Sequence, residues 1–298
     1  MKPNISANTD IGIHKKTNQD SYSVMVVNTP SGRLTLVVLC DGMGGLKFGE
    51  IASAEVIRSF DKWARFQLPD LCKYEIREDL LFQQWSVLLR ETSRRVFSYG
   101  ERNGFRLGTT VVAALFTRNW IYVTNVGDSR MYEIYDCTKL LTRDHSLVWR
   151  EVEAGRLSYE QAKHHPKRNV LTQSIGGKKS PVPDFYKIPF NFDACYMFCS
   201  DGFHHELTDE EIWRTLNREK MVNEGIMNQT AEALIDLVKA RGEADNISVI
   251  LICYEEEENH NCCYYLRALG DWIRRHSWGK KRGCVFERFI HSSYMDEE

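Results

Sequence analysis

Hydrophobic positions along this chain recur with two different periods. Residues 21–27 alternate loosely and are rich in β-branched side chains, the turn residues 28–32 follow, and 34–40 form an unbroken apolar run. That succession predicts a β-hairpin. Beyond Gly45 the period lengthens: Ala52, Val56, Phe60 and Trp63 fall at helical spacing, and past Pro69 a second helix carries Leu81, Trp85, Leu88, Thr92 and Val96 on one face. From Gly108 the strand period returns in residues 110–116, 120–124 and 130–134, separated by short turns as in a meander. Further strand-like runs lie at 184–189, 194–200 and 247–254. Thr208, with Glu211 three residues on, opens a helix through a capping box, and Ala231, Leu234, Ile235 and Val238 mark another. Strands that follow one another without alternating with helices predict an α+β fold of antiparallel sheets with helices packed outside.

Two segments depart from this pattern. Residues 147–169 are polar and helical in composition, punctuated by Gly155 and Pro166, and read as an excursion from the sheet. Residues 255–258 are four consecutive glutamates, a solvated linker that divides a domain at 1–254 from an extension at 255–298. Within the extension Tyr265, Leu269, Trp272 and His276 share one helical face, with Arg267, Arg274, Arg275, Lys280, Lys281 and Arg282 nearby. Such a basic amphipathic helix can dock a partner, lie on an acidic surface, or pack against its own domain.

Composition narrows the class. A chain of 298 residues with 43% apolar and 27% charged residues suits one large globular domain or a domain with an appendage. A net charge of −2 provides no global pull toward nucleic acid. The first ten residues hold no signal-peptide core and the longest apolar runs are strand-sized, so a cytoplasmic protein without a transmembrane segment is expected. The cysteines number nine, an odd count with no zinc-site spacing; Cys40, Cys199 and Cys253 stand inside apolar runs, where a reduced thiol acts as a small hydrophobe.

The candidate chemistry lies at the ends of strands. Apolar runs end in Asp41-Gly42 and Asp201-Gly202, while Asp20, Asp128 and Asp245 stand in comparable settings. Any one Asp-Gly is an ordinary turn. Carboxylates from distant strands that converge on one spot repel each other unless divalent cations sit between them, and oxygen ligands of this kind suit Mg²⁺ or Mn²⁺.

In order along the chain stand Gly12-Ile-His-Lys15-Lys-Thr-Asn18-Gln19-Asp20, Cys40-Asp41-Gly42-Met43-Gly44-Gly45, Gly108-Thr109-Thr110, Val126-Gly127-Asp128-Ser129-Arg130, Leu141-Thr-Arg-Asp-His145-Ser, Leu171-Thr-Gln-Ser-Ile-Gly176, Ser200-Asp201-Gly202 and Asp245-Asn246. This series closely resembles the metal-dependent protein phosphatases of the type 2C class, the PPM family, in their bacterial form. The resemblance implies a sandwich of two packed antiparallel β-sheets flanked by helices, with residues 147–169 as a mobile flap. It implies a protein serine/threonine phosphatase in which water activated by two Mn²⁺ or Mg²⁺ ions attacks phosphorus. Asp41 should bridge the ions, the Gly42 carbonyl should bind one with Asp20 on its side, Asp201 and Asp245 should hold the other, and Asp128 should serve a weaker third.

Three departures accompany the resemblance. Lys15 stands where the family has its phosphate-binding arginine, keeping the charge without the bidentate fork. Gln19 replaces an acid before Asp20. Met43 replaces a histidine proposed as general acid in many eukaryotic members, which leaves metal-bound water or His204 and His205 as proton sources; those two histidines otherwise read as a polar turn, with His205 where relatives often carry another acid. The expected partner is a phosphorylated protein, made by a serine/threonine kinase. The alternative is a pseudophosphatase acting as a binding or regulatory module, against which retention of Asp20, Asp41, Asp201 and Asp245 argues. A two-metal hydrolase of nucleotides or nucleic acid lacks a basic, aromatic-interleaved groove.

Overall fold

The computed structural model describes residues 1–29, 32–43, 48–177, 179–256 and, for 285–292, the backbone. The expected hairpin is β2 (Ser21–Thr29) and β3 (Gly32–Cys40), paired so that Ser21 faces Cys40. They belong to a six-stranded antiparallel sheet with β4 (Val111–Phe116), β5 (Trp120–Val126), β8 (Asp184–Pro189) and β11 (Val285–Ser292), in the order β11-β2-β3-β4-β5-β8. A five-stranded sheet of β1 (Lys2–Asp10), β10 (Ile247–Glu255), β9 (Cys195–Cys199), β6 (Arg130–Ile134) and β7 (Thr138–Leu140), in that order, packs against it.

The unbroken apolar runs are explained by this layering. Along β3, Leu36, Val38 and Cys40 join a core with Phe60, Trp63 and Trp85 of α1 (Gly49–Phe66) and α3 (Glu78–Asn103). The alternate residues Val37 and Leu39 join Phe198 and Ile250 between the sheets. On the far side, Met197, Leu251 and Cys253 pack under α7 (Asp209–Leu216) and α8 (Glu224–Ala240) through Ile212, Leu234 and Val238. Each central strand is buried on both faces, which removes the polar half of the usual alternation. The result is the α-β-β-α sandwich.

Several local expectations change. The meander is not continuous: β4 and β5 pair in one sheet, but β6 crosses to the other and pairs with β9 and β7. The crossover is the Gly127-Asp128-Ser129 turn, in which Gly127 takes φ 115°. Pro69 lies within the first turn of a short helix, α2 (Leu68–Leu71), where its missing N–H costs nothing. On α3 the fully buried position is Leu89, with Leu88 only partly covered.

The strand β1 carries little apolar signal because, besides Pro3, its buried positions are polar: Asn4 bonds Glu255, and Ser6 bonds Asn8 and Asn228. Residues 147–169 hold α4 (Leu147–Glu153) and α5 (Tyr159–Lys163), and their ends are pinched by a bridge of Ser146 to Leu171. In the extension, β11 pairs with β2 from Val285–Asn28 to Ser292–Ser21. The amphipathic helix expected around 265–276, and Gly44 and Gly45, lie outside the described residues.

Candidate active site

Strand pairing alone brings four of the aspartates to one end of the sandwich. Because Ser21 faces Cys40, Asp20 before β2 and Asp41 after β3 become neighbours. Val249 faces Cys199, so Asp201, one residue past Ser200, and Asp245, just before β10, meet at the same end. Asp201 opens α6 (Asp201–His204), and Asp128 arrives on the crossover between the sheets.

Close backbone contacts make this convergence possible. The Gly42 N–H donates to the Gln19 carbonyl at 3.2 Å, and a Cβ on Gly42 would meet that oxygen at 2.4 Å. A Cβ on Gly202 would meet the Asn246 carbonyl at 2.2 Å. Only glycine permits either approach. Thr109 and Thr110 fix Asp41: the Thr109 hydroxyl and the Thr110 N–H both donate to the Asp41 carbonyl at 2.8 Å. The Thr110 hydroxyl accepts from the Asp41 N–H at 2.9 Å and shares a second hydrogen bond with the Ser129 hydroxyl at 2.6 Å.

The carboxylates act on one another. Burial pushes Asp41 well above the usual carboxylate range, and Asp20, Asp201, Asp245 and Asp128 all push it further. Asp20, fully buried, is raised to about 7 by burial and by Asp245 and Asp201, against a hydrogen bond from Ser248. Burial with Asp201 and Asp144 raises Asp128 to about 8. Asp201 is raised by burial, with Asp245 and Glu243 adding to it. Asp41 thus feels the charge of each of the other four.

Cationic groups meet this cluster at two points. Lys15 Nζ lies 2.6 Å from Asp245 Oδ1, while the adjacent His14 and Lys16 are exposed. Across the site His205 Nδ1 stands 3.7 Å from Glu243 Oε2, and Asp201 and Glu243 raise its pKa against the opposing effect of burial. The His204-His205 pair is therefore not a polar turn. His204 is 5% exposed within α6, burial holds it neutral, and its Nε2 has no hydrogen-bond partner. The signal for both histidines in the sequence is their place two and three residues after Gly202, in the turn of helix that Asp201 opens.

The excursion at 147–169 covers the Asp128 side, where Trp149, Tyr159 and Lys163 line a small cavity with Asp128, His204 and His205. Below it Arg130 and Asp144 form a buried ion pair at 2.7 Å. His145 is structural: its Nδ1 accepts from the Gly127 N–H at 3.3 Å and its Nε2 lies 3.1 Å from Asp184.

The donor set suits hard divalent cations. Asp20 Oδ1 and Asp201 Oδ1 are buried without a hydrogen-bond partner, an arrangement that costs free energy unless a cation is near. Among the described residues no group of three or more histidine, cysteine, aspartate or glutamate side chains stands close enough together to hold a metal ion as placed. Asp245 Oδ1 is taken up by Lys15 and the Asn246 N–H, and Asp20 Oδ2 by Ser248.

Comparison with known proteins identifies the family and the fold. The family model described as protein phosphatase 2C matches residues 13–224. Protein phosphatase PhpP of Streptococcus pneumoniae is 32% identical over 257 residues, covering 85% of this chain and 98% of that protein. The crystal structure of serine/threonine phosphatase Stp1 from Staphylococcus aureus superposes with a TM-score of 0.71 at 30% identity, covering 86% of this chain and 96% of the other. A crystal structure of the catalytic domain of the serine/threonine phosphatase PstP, in complex with two manganese ions, gives a TM-score of 0.64 at 26% identity over 84% of this chain and 97% of that one.

Proposed function

The chain belongs to the protein phosphatase 2C family of serine/threonine phosphatases, and on that premise we propose that it hydrolyses phosphoserine and phosphothreonine in proteins with divalent cations held by its aspartate cluster. The observation that carries this reading is the strand pairing that brings Asp20, Asp41, Asp201 and Asp245 to one end of the sandwich, with Asp20 Oδ1 and Asp201 Oδ1 buried and without a hydrogen-bond partner. A scaffold has no use for so much buried like charge. Asp20, Asp41 and the Gly42 carbonyl would hold one ion, Asp41, Asp201 and Asp245 the other, and Asp128 a weaker third. A bound Mn²⁺ or Mg²⁺ pair would neutralise charge on the phosphoryl group and lower the pKa of an attacking water.

The remaining roles belong to the chain itself. Thr109 and Thr110 hold the Asp41 backbone in place, so the carboxylate needs no reorientation when substrate arrives. Lys15 carries its charge to the same mouth and would turn from Asp245 to a substrate phosphate as cations take that carboxylate. His205, 3.7 Å from Glu243 and with its pKa raised by Asp201 and Glu243 against burial, would be the chain's own proton source for the departing serine or threonine oxygen. The helical excursion at 147–169 would act as a flap. We place the substrate among phosphoproteins made by a serine/threonine kinase in the cytoplasm; among the described residues no helix is long and apolar enough to cross a membrane.

Calorimetric titration with Mn²⁺ and hydrolysis of a phosphothreonine peptide, each with and without chelator, test this reading. Saturable Mn²⁺ binding together with chelator-sensitive release of phosphate is expected. Mn²⁺ binding without turnover would point to the pseudophosphatase alternative, and turnover that survives exhaustive metal removal would overturn the mechanism.

A further inference from the structure

Away from the aspartates, a concavity of about 660 Å³ opens between α1 and α3. Four arginines line it: Arg58 of α1 and Arg94, Arg95 and Arg102 of α3. Its apolar floor includes Ile51, Val96 and Leu107, with the Tyr99 ring at its side. Glu55 is the one acidic side chain among the described residues that line it, and that carboxylate is engaged by Arg95 at 2.8 Å. Arg94 and Arg102 are exposed and stand two helical turns apart on one face of α3, with Ser98 between them.

A second groove adjoins this concavity at Leu107 and leads toward the segment that carries Asp41. Leu107 also lines a neighbouring groove of about 460 Å³, together with Met43, Arg106 and Gly176. Met43 directly follows Asp41-Gly42, and two residues after Leu107 the Thr109 hydroxyl holds the Asp41 carbonyl at 2.8 Å. A chain with a phosphorylated residue at the aspartates would pass Met43 and this groove, whose lining also holds Glu101 beside Arg106, and lay its more distant residues among the arginines. Guanidinium groups over an apolar floor favour carboxylates and phosphates, which they grip through paired N–H donors.

We propose that this arginine-lined concavity is a docking subsite for an acidic stretch of the protein substrate. The proposal rests on the phosphatase reading. Together the two define the substrate class as phosphoproteins with aspartate, glutamate or further phosphoresidues flanking the scissile phosphate. The phosphate-ester chemistry stays at the aspartates, and the arginines contribute affinity and orientation.

The test uses the full chain and the double variant Arg94→Glu/Arg102→Glu, both positions being exposed. Circular dichroism checks that the variant is folded. Steady-state kinetics with Mn²⁺ compare an acidic-flanked phosphopeptide, a neutral-flanked one and p-nitrophenyl phosphate. Fluorescence anisotropy follows binding of a phosphate-free, glutamate-rich peptide at low and high salt.

For the variant, KM on the acidic-flanked peptide should rise about tenfold, the scale of a few lost charge pairs. Turnover of the other two substrates should be unchanged, and the salt-sensitive binding of the glutamate-rich peptide should be lost. An equal effect on both phosphopeptides, or undiminished binding of the glutamate-rich peptide, overturns the proposal. If wild-type protein hydrolysed none of the three substrates, the phosphatase reading would fall, and the anisotropy measurement would decide the docking surface alone.

Discussion

Lys15 Nζ lies 2.6 Å from Asp245 Oδ1, so the cation at the position of the family's phosphate-binding arginine is held by a carboxylate of the proposed metal cluster. Phosphate binding at Lys15 and cation binding at Asp245 would each break this contact, so either one would favour the other. Lys15→Ala should raise KM for a phosphopeptide by about tenfold with little change in kcat, and should leave Mn²⁺ affinity equal or tighter because Asp245 is freed. Lys15→Arg should retain KM. An unchanged kcat/KM in Lys15→Ala would remove Lys15 from phosphate recognition.

Asp41→Asn and Asp201→Asn should each abolish nearly all turnover through loss of metal affinity. In chelator, the same substitutions should make the protein more stable, because each removes a buried charge that its neighbours oppose. A relief of about 1 kcal/mol corresponds to a rise of roughly 2 °C for a domain of this size. Thermal unfolding with and without Mn²⁺ checks both signs; lower melting temperatures in chelator would contradict the mutual repulsion.

Arg130 and Asp144 form a buried pair in which Arg130 Nε and Nη2 both donate to the carboxylate, while Arg130 Nη1 donates to the Tyr132 hydroxyl. Asp144→Asn leaves that guanidinium without its counter-charge and should cost about 3–5 kcal/mol, read from urea unfolding. Since the pair lies under the excursion at 147–169, limited proteolysis there should also accelerate in the variant. A stability loss below about 1 kcal/mol would show the pair to be solvated.

Glu211 closes the capping box of α7 and also binds Arg241 just past α8; hydrogen bonds from Arg241 and from the Thr208 backbone lower its pKa to about 2. A carboxylate depressed on folding contributes stability that is fully present above its unfolded pKa near 4.5 and is lost as pH falls toward 2. Partial exposure keeps the contribution under about 1 kcal/mol. Glu211→Gln should flatten the stability profile across that acid range and leave it parallel to wild type at neutral pH, as followed by urea midpoints.

Periodicity and local turn chemistry are written in neighbouring residues, and they sufficed for the β2–β3 hairpin, α1, α3 and the Thr208-Glu211 capping box. The ordered motif series likewise pointed to the aspartates, because strand ends followed by glycine are visible without any knowledge of the fold. Long-range pairing settled the rest. β1 is not legible because, besides Pro3, its buried positions are Asn4 and Ser6, satisfied by Glu255 and Asn228 from distant parts of the chain. The β6 crossover and the β11 edge strand depend on which sheet offers a free partner. His205 became part of the site only when the fold set it beside Glu243 and Asp201, and the arginines of α1 and α3 became one surface only when the two helices packed. Local sequence determines which residues can be buried or charged; only tertiary structure decides which of them must answer one another's charge, since Coulomb interaction and desolvation depend on distance in space rather than along the chain.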